Sequence, residues 1–353
     1  MVVKFQVYKK SSPNAKLTVY LTKRDYIDHV THVDPIEGVL MLDPNYVHER
    51  KVYVQLVLRF RFGREEDESM GYNFVKTLYL DTTQLYPPLQ GGATPTTEIQ
   101  RTLISKLGNF AFPFKLDFPK LSSPSYVMMQ GWEDEGALIG VEFEVMSFVG
   151  ANEQDIHKRS SCCLMVRRLM ECPARFFDLP APSGCSTKTF LTCFGAVTLE
   201  ASLTSNVYFP EEDIPVKVSV KNNTSRDIKR LKVKVVQMSE VPIFNDSQTR
   251  YKTLLKMDDV VNMPPSSSLS RDYMLMPVVP SKTARGQVFL QGELRSDSPP
   301  TLAPSTILHP GVDKRDIFGV FISYIVRVKV TLGALTGDAI LDLPFVLAVQ
   351  QGT

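Results

Sequence analysis

The sequence is poor in the features that mark membrane, secreted or nucleic-acid-binding proteins. Its 353 residues carry a net charge of only +2, so the overall charge indicates no nucleic-acid partner, and electrostatic recognition must come from a local patch. It contains no run of about 18 apolar residues, which argues against a membrane-spanning helix. Lys4 interrupts the short apolar run at the start, so no signal peptide is predicted.

Cysteine is scarce. The five cysteines are an odd number and form no CxxC pair: Cys162, Cys163, Cys172, Cys185 and Cys193. A structural zinc site would require more soft ligands at closer spacing. We therefore predict reduced thiols in a cytoplasmic protein.

Motifs for enzymatic chemistry are missing as well. The sequence contains no P-loop, no GxGxxG and no nucleophile elbow, so we predict that the protein is not an enzyme. His29 and His32 form an HxxH pattern, but on a predicted strand and turn rather than on a helix. We interpret them as a surface or hydrogen-bonded pair and predict no metal site.

Strand periodicity, by contrast, runs through most of the chain. Between Lys51 and Phe62, hydrophobic side chains occupy every second position, which predicts a strand with one buried face. Strands are also predicted in five other segments: 141–145, 216–220, 231–235, 322–332 and 339–347.

One segment, from Thr97 to Leu107, favours a helix. Its apolar stripe at four-residue spacing consists of Ile99, Leu103 and Leu107. Thr97 and Gln100 have the spacing of a capping box, and Gly108 stands where a C-terminal cap belongs.

The segment from Pro173 to Gly184 has three prolines, little periodicity and a position near the middle of the chain, which indicates a linker. Many short strands and a single helix predict an all-β protein of two antiparallel β-sandwich domains. We assign residues 1–172 to the N-terminal domain, 173–187 to an interdomain hinge and 188–353 to the C-terminal domain.

Two basic pairs end the first two predicted strands: Lys9-Lys10 and Lys23-Arg24. Lys106 lies near the end of the helix. Each alone is typical of a solvated surface, but together they would converge on one anion if the first strand packed on the helix. An acidic loop, residues 64–71, lies between two strands and is typical of an exposed hairpin tip.

Several long motifs stand out along the chain. The first, Tyr8-Lys-Lys-Ser-Ser-Pro-Asn-Ala-Lys-Leu-Thr-Val-Tyr-Leu-Thr-Lys-Arg-Asp25, is followed by Val33-Asp-Pro-Ile-Glu-Gly-Val and Phe60-Arg-Phe-Gly-Arg-Glu. Later motifs are Ala111-Phe-Pro-Phe, Leu199-Glu-Ala-Ser-Leu and Leu343-Pro-Phe. In this order the motifs resemble those of the arrestin family. The resemblance covers essentially the whole chain and is strongest to the visual and β-arrestin branch.

The resemblance implies two curved β-sandwiches, one short helix on the first of them, and binding to activated, phosphorylated G-protein-coupled receptors. Such binding would end G-protein coupling, scaffold signalling or internalisation, and recruit a cytoplasmic protein to the plasma membrane. The implied phosphate contacts are Lys9, Lys10, Arg24, Lys106 and Arg295. Charge favours this chemistry, because a phosphate near charge −2 binds best to several cationic donors.

The resemblance also implies a buried interdomain charge cluster that keeps the protein inactive. Asp25 and Arg167 match its central ion pair, and Asp297 matches one of two further aspartates. Gln291 stands where the family has the other, so we expect a weaker latch.

The acidic loop matches the family's finger loop, which enters an active receptor: Glu65, Glu66, Asp67, Glu68, Ser69, Met70, Gly71 and Tyr72. Family members usually continue Gly-Leu-Thr-Phe, whereas this chain has Gly71-Tyr-Asn-Phe. Trp132 lies in the matching middle loop. Clathrin and clathrin-adaptor tail motifs of longer members are absent, so we expect no binding through them.

Four bases alternate on two predicted strands of the second domain: Lys232, Lys234, Arg327 and Lys329. If the strands are neighbours, the bases share one face, and such a face resembles the family's inositol-polyphosphate or phosphoinositide site. A solvated sheet face is the alternative. For the whole chain, the alternative function is an arrestin-fold cargo-sorting adaptor that does not sense receptor phosphates.

Overall fold

The computed structural model describes residues 7–61, 75–88, 96–129, 140–190, 193–243, 246–279, 287–290, 299–333 and 337–349. The first half contains ten strands: β1 Tyr8–Ser11, β2 Leu17–Leu21, β3 Asp25–Asp28, β4 Ile36–Leu42, β5 Lys51–Arg61, β6 Val75–Tyr86, β7 Ala111–Leu116, β8 Tyr126–Met129, β9 Gly140–Gly150 and β10 Ser161–Met170. It also contains the helices α1 Pro44–Val47 and α2 Glu98–Leu107.

The second half contains eleven described strands: β11 Ser183–Phe190, β12 Cys193–Leu203, β13 Val207–Tyr208, β14 Ile214–Thr224, β15 Ile228–Ile243, β16 Asp246–Met263, β17 Ser267–Leu275, β18 Gln287–Leu290, β19 Thr301–Leu302, β20 Phe321–Gly333 and β21 Gly337–Leu347. Two 3₁₀ turns occupy Ala174–Phe176 and Lys314–Asp316.

The strands form two pairs of sheets, which confirms the predicted two-sandwich fold. In the first sandwich, a sheet of order β1-β2-β4-β7 faces one of order β19-β18-β8-β9-β10-β3, to which β5 and β6 add through β9. In the second, a sheet of order β11-β12-β14-β17 faces one of order β13-β21-β20-β15-β16. Most neighbours are antiparallel, but β3 runs parallel to β10, and β13 to β21.

Alternating side chains build the core. In β14, residues at every second position are buried, from Ile214 to Thr224, while Lys217 and Lys221 face outward. In β5 the prediction of one buried face was wrong in part. Tyr53 and Val57, on the opposite face, are also buried, because Met146 and Phe148 of β9 pack against them.

The helix α2 has the predicted caps. Thr97 and Gln100 form the capping box, and the Gly108 N–H donates to the Ile104 carbonyl. The predicted apolar stripe is only half-buried, whereas Gln100 is 1% exposed. Its amide donates to the carbonyls of Gly38 in β4 and Phe114 in β7, at 2.9 and 3.0 Å, so a polar side chain ties the helix to the sheet.

The short helix α1 was not predicted, although its start has a recognisable pattern. Asp43 accepts a hydrogen bond from the Asn45 N–H, and Pro44 occupies the first turn, where its missing N–H costs nothing. Among the residues that the structure describes, no helix is long and apolar enough to cross a membrane. Four of the cysteines are free thiols: Cys162, Cys163, Cys172 and Cys185.

One part of the predicted C-terminal domain joins the sheet of the first sandwich. β18 pairs antiparallel with β8, placing Val288 opposite Met128, and β19 pairs with β18. The predicted hinge also contains a strand, since β11 begins at Ser183. The two halves of the chain are therefore connected both through residues 171–182 and through shared strands.

Candidate anion site and domain junction

The two consecutive lysines of β1 lie at the edge of a sheet. Lys9 and Lys10 are exposed, and β1 pairs with β2 so that Lys9 is opposite Tyr20 and Lys10 opposite Val19. Neighbouring side chains of a strand point to opposite faces. An anion that contacted both flexible side chains would therefore have to lie along the edge of β1.

A third base, Arg24, lies beside this strand. Its Nε donates to the Met165 carbonyl of β10 at 2.8 Å, and its guanidinium lies 6.0 Å from the centroid of the Tyr8 ring. The sheet order does not place β10 next to β1, but the Cys162 thiol donates to the Lys10 carbonyl across the sandwich at 3.2 Å. These contacts place Arg24 next to Tyr8, at the start of the strand that carries Lys9 and Lys10.

The predicted ion pair between Asp25 and Arg167 is present. β3 and β10 run parallel with these residues opposite each other, and Arg167 Nε and Nη2 donate to the two carboxylate oxygens at 2.7 and 2.5 Å. The pair was expected to be buried between the domains. Instead both residues belong to the first sandwich, and the Asp25 side chain is 39% exposed against 9% for Arg167.

Other predicted site residues are placed elsewhere or lie outside the described residues. Lys106 is exposed in the last turn of α2, which packs on β4 and β7, and β2 separates β4 from β1. The packing of the first strand on the helix, which would bring these bases together, is therefore not the arrangement found. Outside the described residues lie Arg295, Asp297, Gln291, Trp132 and the predicted finger loop from Glu65 to Tyr72.

Sequence reasoning missed a second, fully buried ion pair next to the first. Arg168 Nε and Nη2 donate to Asp28 Oδ2 at 3.0 and 2.6 Å, and both side chains are 0% exposed. Arg168 Nη1 also donates to the Pro119 carbonyl at 2.8 Å and to the Ser122 hydroxyl at 2.5 Å. Burial lowers the pKa of Arg168, while the charge and hydrogen bonds of Asp28 act to raise it.

This buried pair connects the two halves of the chain. His309, from the segment that follows β19, is 3% exposed and has its Nε2 2.9 Å from Asp28 Oδ1. Beside it, Val30, Met170 and Ile307 form a small buried apolar cluster, against which Phe176 and Val346 pack. The junction thus combines apolar packing with a charged group reached from both halves.

The two halves of the chain also contact each other at Ser123. The Ser123 N–H donates to the Phe318 carbonyl, and the Val320 N–H donates to the Ser123 hydroxyl. Gly319 between them has φ 142°, and a Cβ there would lie 2.0 Å from Ser123 Oγ. The close approach of the two halves therefore requires glycine at this position.

The pattern that could have revealed the second pair is two arginines opposite an Asp-x-x-Asp sequence. Consecutive residues of a strand face opposite sides, and so do residues three apart. Arg167 and Asp25 therefore share one face of the β3–β10 pair, while Arg168 and Asp28 share the other. The family resemblance indicated the first match, but without knowing that the strands pair, the second is not visible.

The four bases of the second domain share one face, as predicted for neighbouring strands. In the pairing of β15 with β20, Lys232 is opposite Lys329, and Lys234 is opposite Arg327. Three bases have acidic partners: Lys232 lies 3.6 Å from Asp258, Arg327 lies 2.7 Å from Asp342, and Lys329 lies 2.5 Å from Asp338. Lys234 is central. Burial and then the charges of four surrounding bases, Lys256 foremost, lower its pKa.

Comparison with known proteins gives matches along nearly the whole chain. The family described as arrestin (or S-antigen), N-terminal domain, matches residues 17–172, and the corresponding C-terminal domain matches residues 194–351. An arrestin homolog of Heliothis virescens is 39% identical over 352 residues, covering 98% of this chain and 91% of that protein. Human β-arrestin-2 is 38% identical over 344 residues (97% and 82%), and arrestin red cell isoform 2 of Oncorhynchus mykiss is 37% identical over 350 residues (99% and 85%).

The two adjacent arginines should differ in their importance for stability. Replacing Arg168 by Met leaves Asp28 as a buried charge without its main partner, which typically costs about 3–5 kcal/mol. Arg167→Met should cost less, because water can reach Asp25. Denaturant midpoints of the two variants and the parent check this. Equal midpoints, or a lower midpoint for Arg167→Met, would contradict the ranking.

Proposed function

The chain belongs to the arrestin family, and on that premise we propose that it binds the activated, phosphorylated form of a G-protein-coupled receptor. Bound there, it excludes G protein from the cytoplasmic face of the receptor and scaffolds signalling or internalisation. The role is that of a non-enzymatic, cytoplasmic binding protein that the receptor recruits to the plasma membrane. The observation that carries the proposal is the exposed Lys9-Lys10 pair on the open edge of β1, with Arg24 beside it.

Charge and geometry support phosphate recognition at this edge. A phosphorylated serine or threonine carries about −1.5 to −2 charges and three acceptor oxygens. Lys9 and Lys10 supply ammonium donors from two sides of the strand, and an extended receptor tail can follow an open strand edge. Arg24 places a guanidinium next to the same strand.

The Asp25–Arg167 pair supplies a way to couple phosphate binding to a change of state. Arg24 and Asp25 are adjacent, and the Arg167 N–H donates to the Arg24 carbonyl at 2.7 Å. A phosphate that reaches Arg24 therefore comes close to the guanidinium that Asp25 holds. The two anions compete for Arg167, and the competition is strong because Arg167 is largely shielded from water. Loss of the pair would weaken the contact between β3 and β10. Because Asp28 and Arg168 lie on the same two strands, the domain junction would weaken as well.

The alternative is an arrestin-fold sorting adaptor that does not sense phosphate. The Lys9, Lys10, Asp25 and Arg167 set argues against it, because an adaptor that recognises unmodified cargo needs neither the exposed bases nor the competing ion pair. A pulldown with active receptor, with and without phosphatase treatment, distinguishes the two functions. Equal capture in both cases would favour the adaptor.

A second anion site on the β15–β20 face is also proposed. It would bind an inositol polyphosphate or a phosphoinositide headgroup at the membrane surface. The supporting observation is Lys234, whose charge is surrounded by other bases, so a multiply charged anion would relieve their mutual repulsion. The three acidic partners explain how the face remains stable without an anion.

Reversing the charge at both Lys9 and Lys10, with Glu, should abolish the preference for phosphorylated receptor. Stability should change by no more than about 0.5 kcal/mol, because both side chains are exposed. The measurement is the ratio of binding to phosphorylated and dephosphorylated receptor. Lys51→Glu with Lys120→Glu, two exposed lysines elsewhere in the first sandwich, is the matched control. An unchanged ratio in the Lys9/Lys10 variant would refute the phosphate site.

Arg167→Glu should allow binding to active receptor without phosphate, because Asp25 then faces a like charge and the pair cannot form. If Gln291 weakens the latch as the sequence predicts, the parent should already show some phosphate-independent binding. The charge swap Asp25→Arg with Arg167→Glu restores an ion pair and should restore phosphate dependence. A variant Arg167→Glu that remains as phosphate-dependent as the parent would exclude the latch.

Neutralising the β15–β20 face, with Gln at Lys232, Lys234, Arg327 and Lys329, should weaken inositol hexakisphosphate binding by at least about tenfold, since one lost charged hydrogen bond is worth about 1.5 kcal/mol or more. Calorimetry measures the affinity, and vesicles with and without phosphoinositide distinguish the free anion from the lipid headgroup. The matched control changes four exposed lysines of the same domain: Lys188, Lys217, Lys221 and Lys229. Unchanged affinity would identify an ordinary solvated face.

A further inference from the structure

The turn between β3 and β4 gathers two histidines and two carboxylates. The His29 N–H donates to the His32 carbonyl at 2.9 Å, and Asp28 bridges to Val33, so the turn is closed and short. Asp34 follows immediately, and Glu171 at the end of β10 donates its N–H to the Asp28 carbonyl. From the histidines alone the sequence predicted a surface or hydrogen-bonded pair and no metal site; the fold adds the carboxylates.

The contacts of His29 create an electrostatic problem. Its Nδ1 lies in hydrogen-bond contact with Glu171 Oε2, and its Nε2 lies 3.3 Å from Asp34 Oδ1. A neutral imidazole carries only one N–H. If Nδ1 donates to the closer carboxylate, Glu171, then Nε2 directs a lone pair at an oxygen of Asp34. Two acceptors that face each other at this distance favour a positively charged group between them, such as a metal ion.

Asp34 is held with one oxygen directed towards His29. Its other oxygen, Oδ2, accepts from Lys23 Nζ at 2.5 Å and from the Ile27 N–H at 3.3 Å. Burial acts to raise the pKa of Asp34, but the hydrogen bonds and charge of Lys23, with the Ile27 N–H and His29, lower it overall. The group is therefore an ionised carboxylate whose orientation is fixed, as ligands of metal sites commonly are.

His32 supplies a second imidazole next to His29. Its ring stacks on that of His29 with centroids 4.7 Å apart, and its Nδ1 lies 3.0 Å from the Thr31 hydroxyl. In the part of the chain that the structure describes, no hydrogen bond engages His32 Nε2. The stacked rings therefore place a second imidazole nitrogen near the gap between His29 and Asp34.

We propose that His29, His32 and Asp34 bind one Zn²⁺ through His29 Nε2, His32 Nε2 and Asp34 Oδ1. These three side chains each offer a ligand atom, and the atoms lie within 4.8 Å of one another. Tetrahedral zinc with bonds near 2.0–2.1 Å needs ligand atoms about 3.3 Å apart. The His29–Asp34 distance already has this value, and His32, an exposed side chain, has only to rotate inward.

The surrounding groups fit the same role. Glu171 accepts the Nδ1–H of His29, which fixes the ring and makes Nε2 the ligand, and Lys23 holds the remaining oxygen of Asp34. Two imidazoles and one carboxylate suit zinc better than calcium or magnesium, which prefer oxygen ligands alone. Water completes the coordination, because the turn is at the surface.

Zinc at this turn would act on the domain junction. The same turn carries Asp28 and Val30, which contact His309 and Ile307 of the other half of the chain. Glu171 lies two residues before the segment 173–187. A metal that fixes the turn therefore strengthens the contact between the halves, and zinc-loaded protein should melt at a higher temperature than the EDTA-treated protein.

The test is titration of the EDTA-treated full chain with Zn²⁺ by calorimetry, and with Co²⁺ followed by its visible absorption. All samples carry Cys185→Ser, because that exposed thiol would bind metal by itself. The parent should bind one Zn²⁺, and His32→Ala should lose at least about tenfold in affinity; Glu171→Gln should lose about 10–100-fold, as partners of metal ligands typically do. The control is His157→Ala, which removes a histidine 3.0 Å from Asp155 in a pair without a second imidazole.

One bound zinc that depends on His32 and not on His157 supports the proposal, together with the rise in melting temperature. Absence of stoichiometric zinc binding would overturn it and identify the turn as an ordinary hydrogen-bonded surface cluster. Binding that survives His32→Ala unchanged, or that His157→Ala weakens equally, would overturn it as well.

Discussion

The parallel pairing of β3 with β10 is the constraint on which the rest of the site depends. It places two aspartates three residues apart beside two consecutive arginines, so one ion pair forms on each face of the strand pair. The outer pair, Asp25 with Arg167, lies near the bases of β1. The inner pair, Asp28 with Arg168, reaches His309 of the other half. A single register therefore links the basic edge at β1 to the domain junction, and a slip by one residue would exchange the two faces.

The two pairs have different physical roles because water reaches only one of them. Asp25 is partly exposed, so its ion pair is cheap to open and suits a switch. Asp28 and Arg168 are fully buried, and the arginine is also held by Pro119 and Ser122. Separating them would leave a charge in a region of low dielectric, so this pair is suited to holding its surroundings in one arrangement. Adjacent residues thus provide one ion pair that water can reach and one that it cannot.

Much of the fold follows from local patterns, and these were predictable. Alternation located strands such as β14, and the Thr97–Gln100 capping box located the start of α2. What alternation cannot supply is the partner of each strand. The second burial face of β5 depends on Met146 and Phe148, more than eighty residues away by the numbering, and the pairing of β18 with β8 joins residues from different halves. The same distinction applies to the site residues. The sequence predicted four of them because they belong to a family motif: Lys9, Lys10, Asp25 and Arg167. Only long-range pairing brings together the other three, Arg168, Asp28 and His309.

The strand β18 has a mechanical consequence. The second sandwich is attached to the first at the segment after β10 and again where β18 lies against β8. The halves are also joined by the Asp28–Arg168 pair with His309, and by the contacts of Ser123 with Phe318 and Val320. A movement that detached β18 from β8 would expose backbone N–H and C=O groups that now pair with each other. Separation at β18 is therefore costly, and a rearrangement of the halves costs less where side chains alone form the contact.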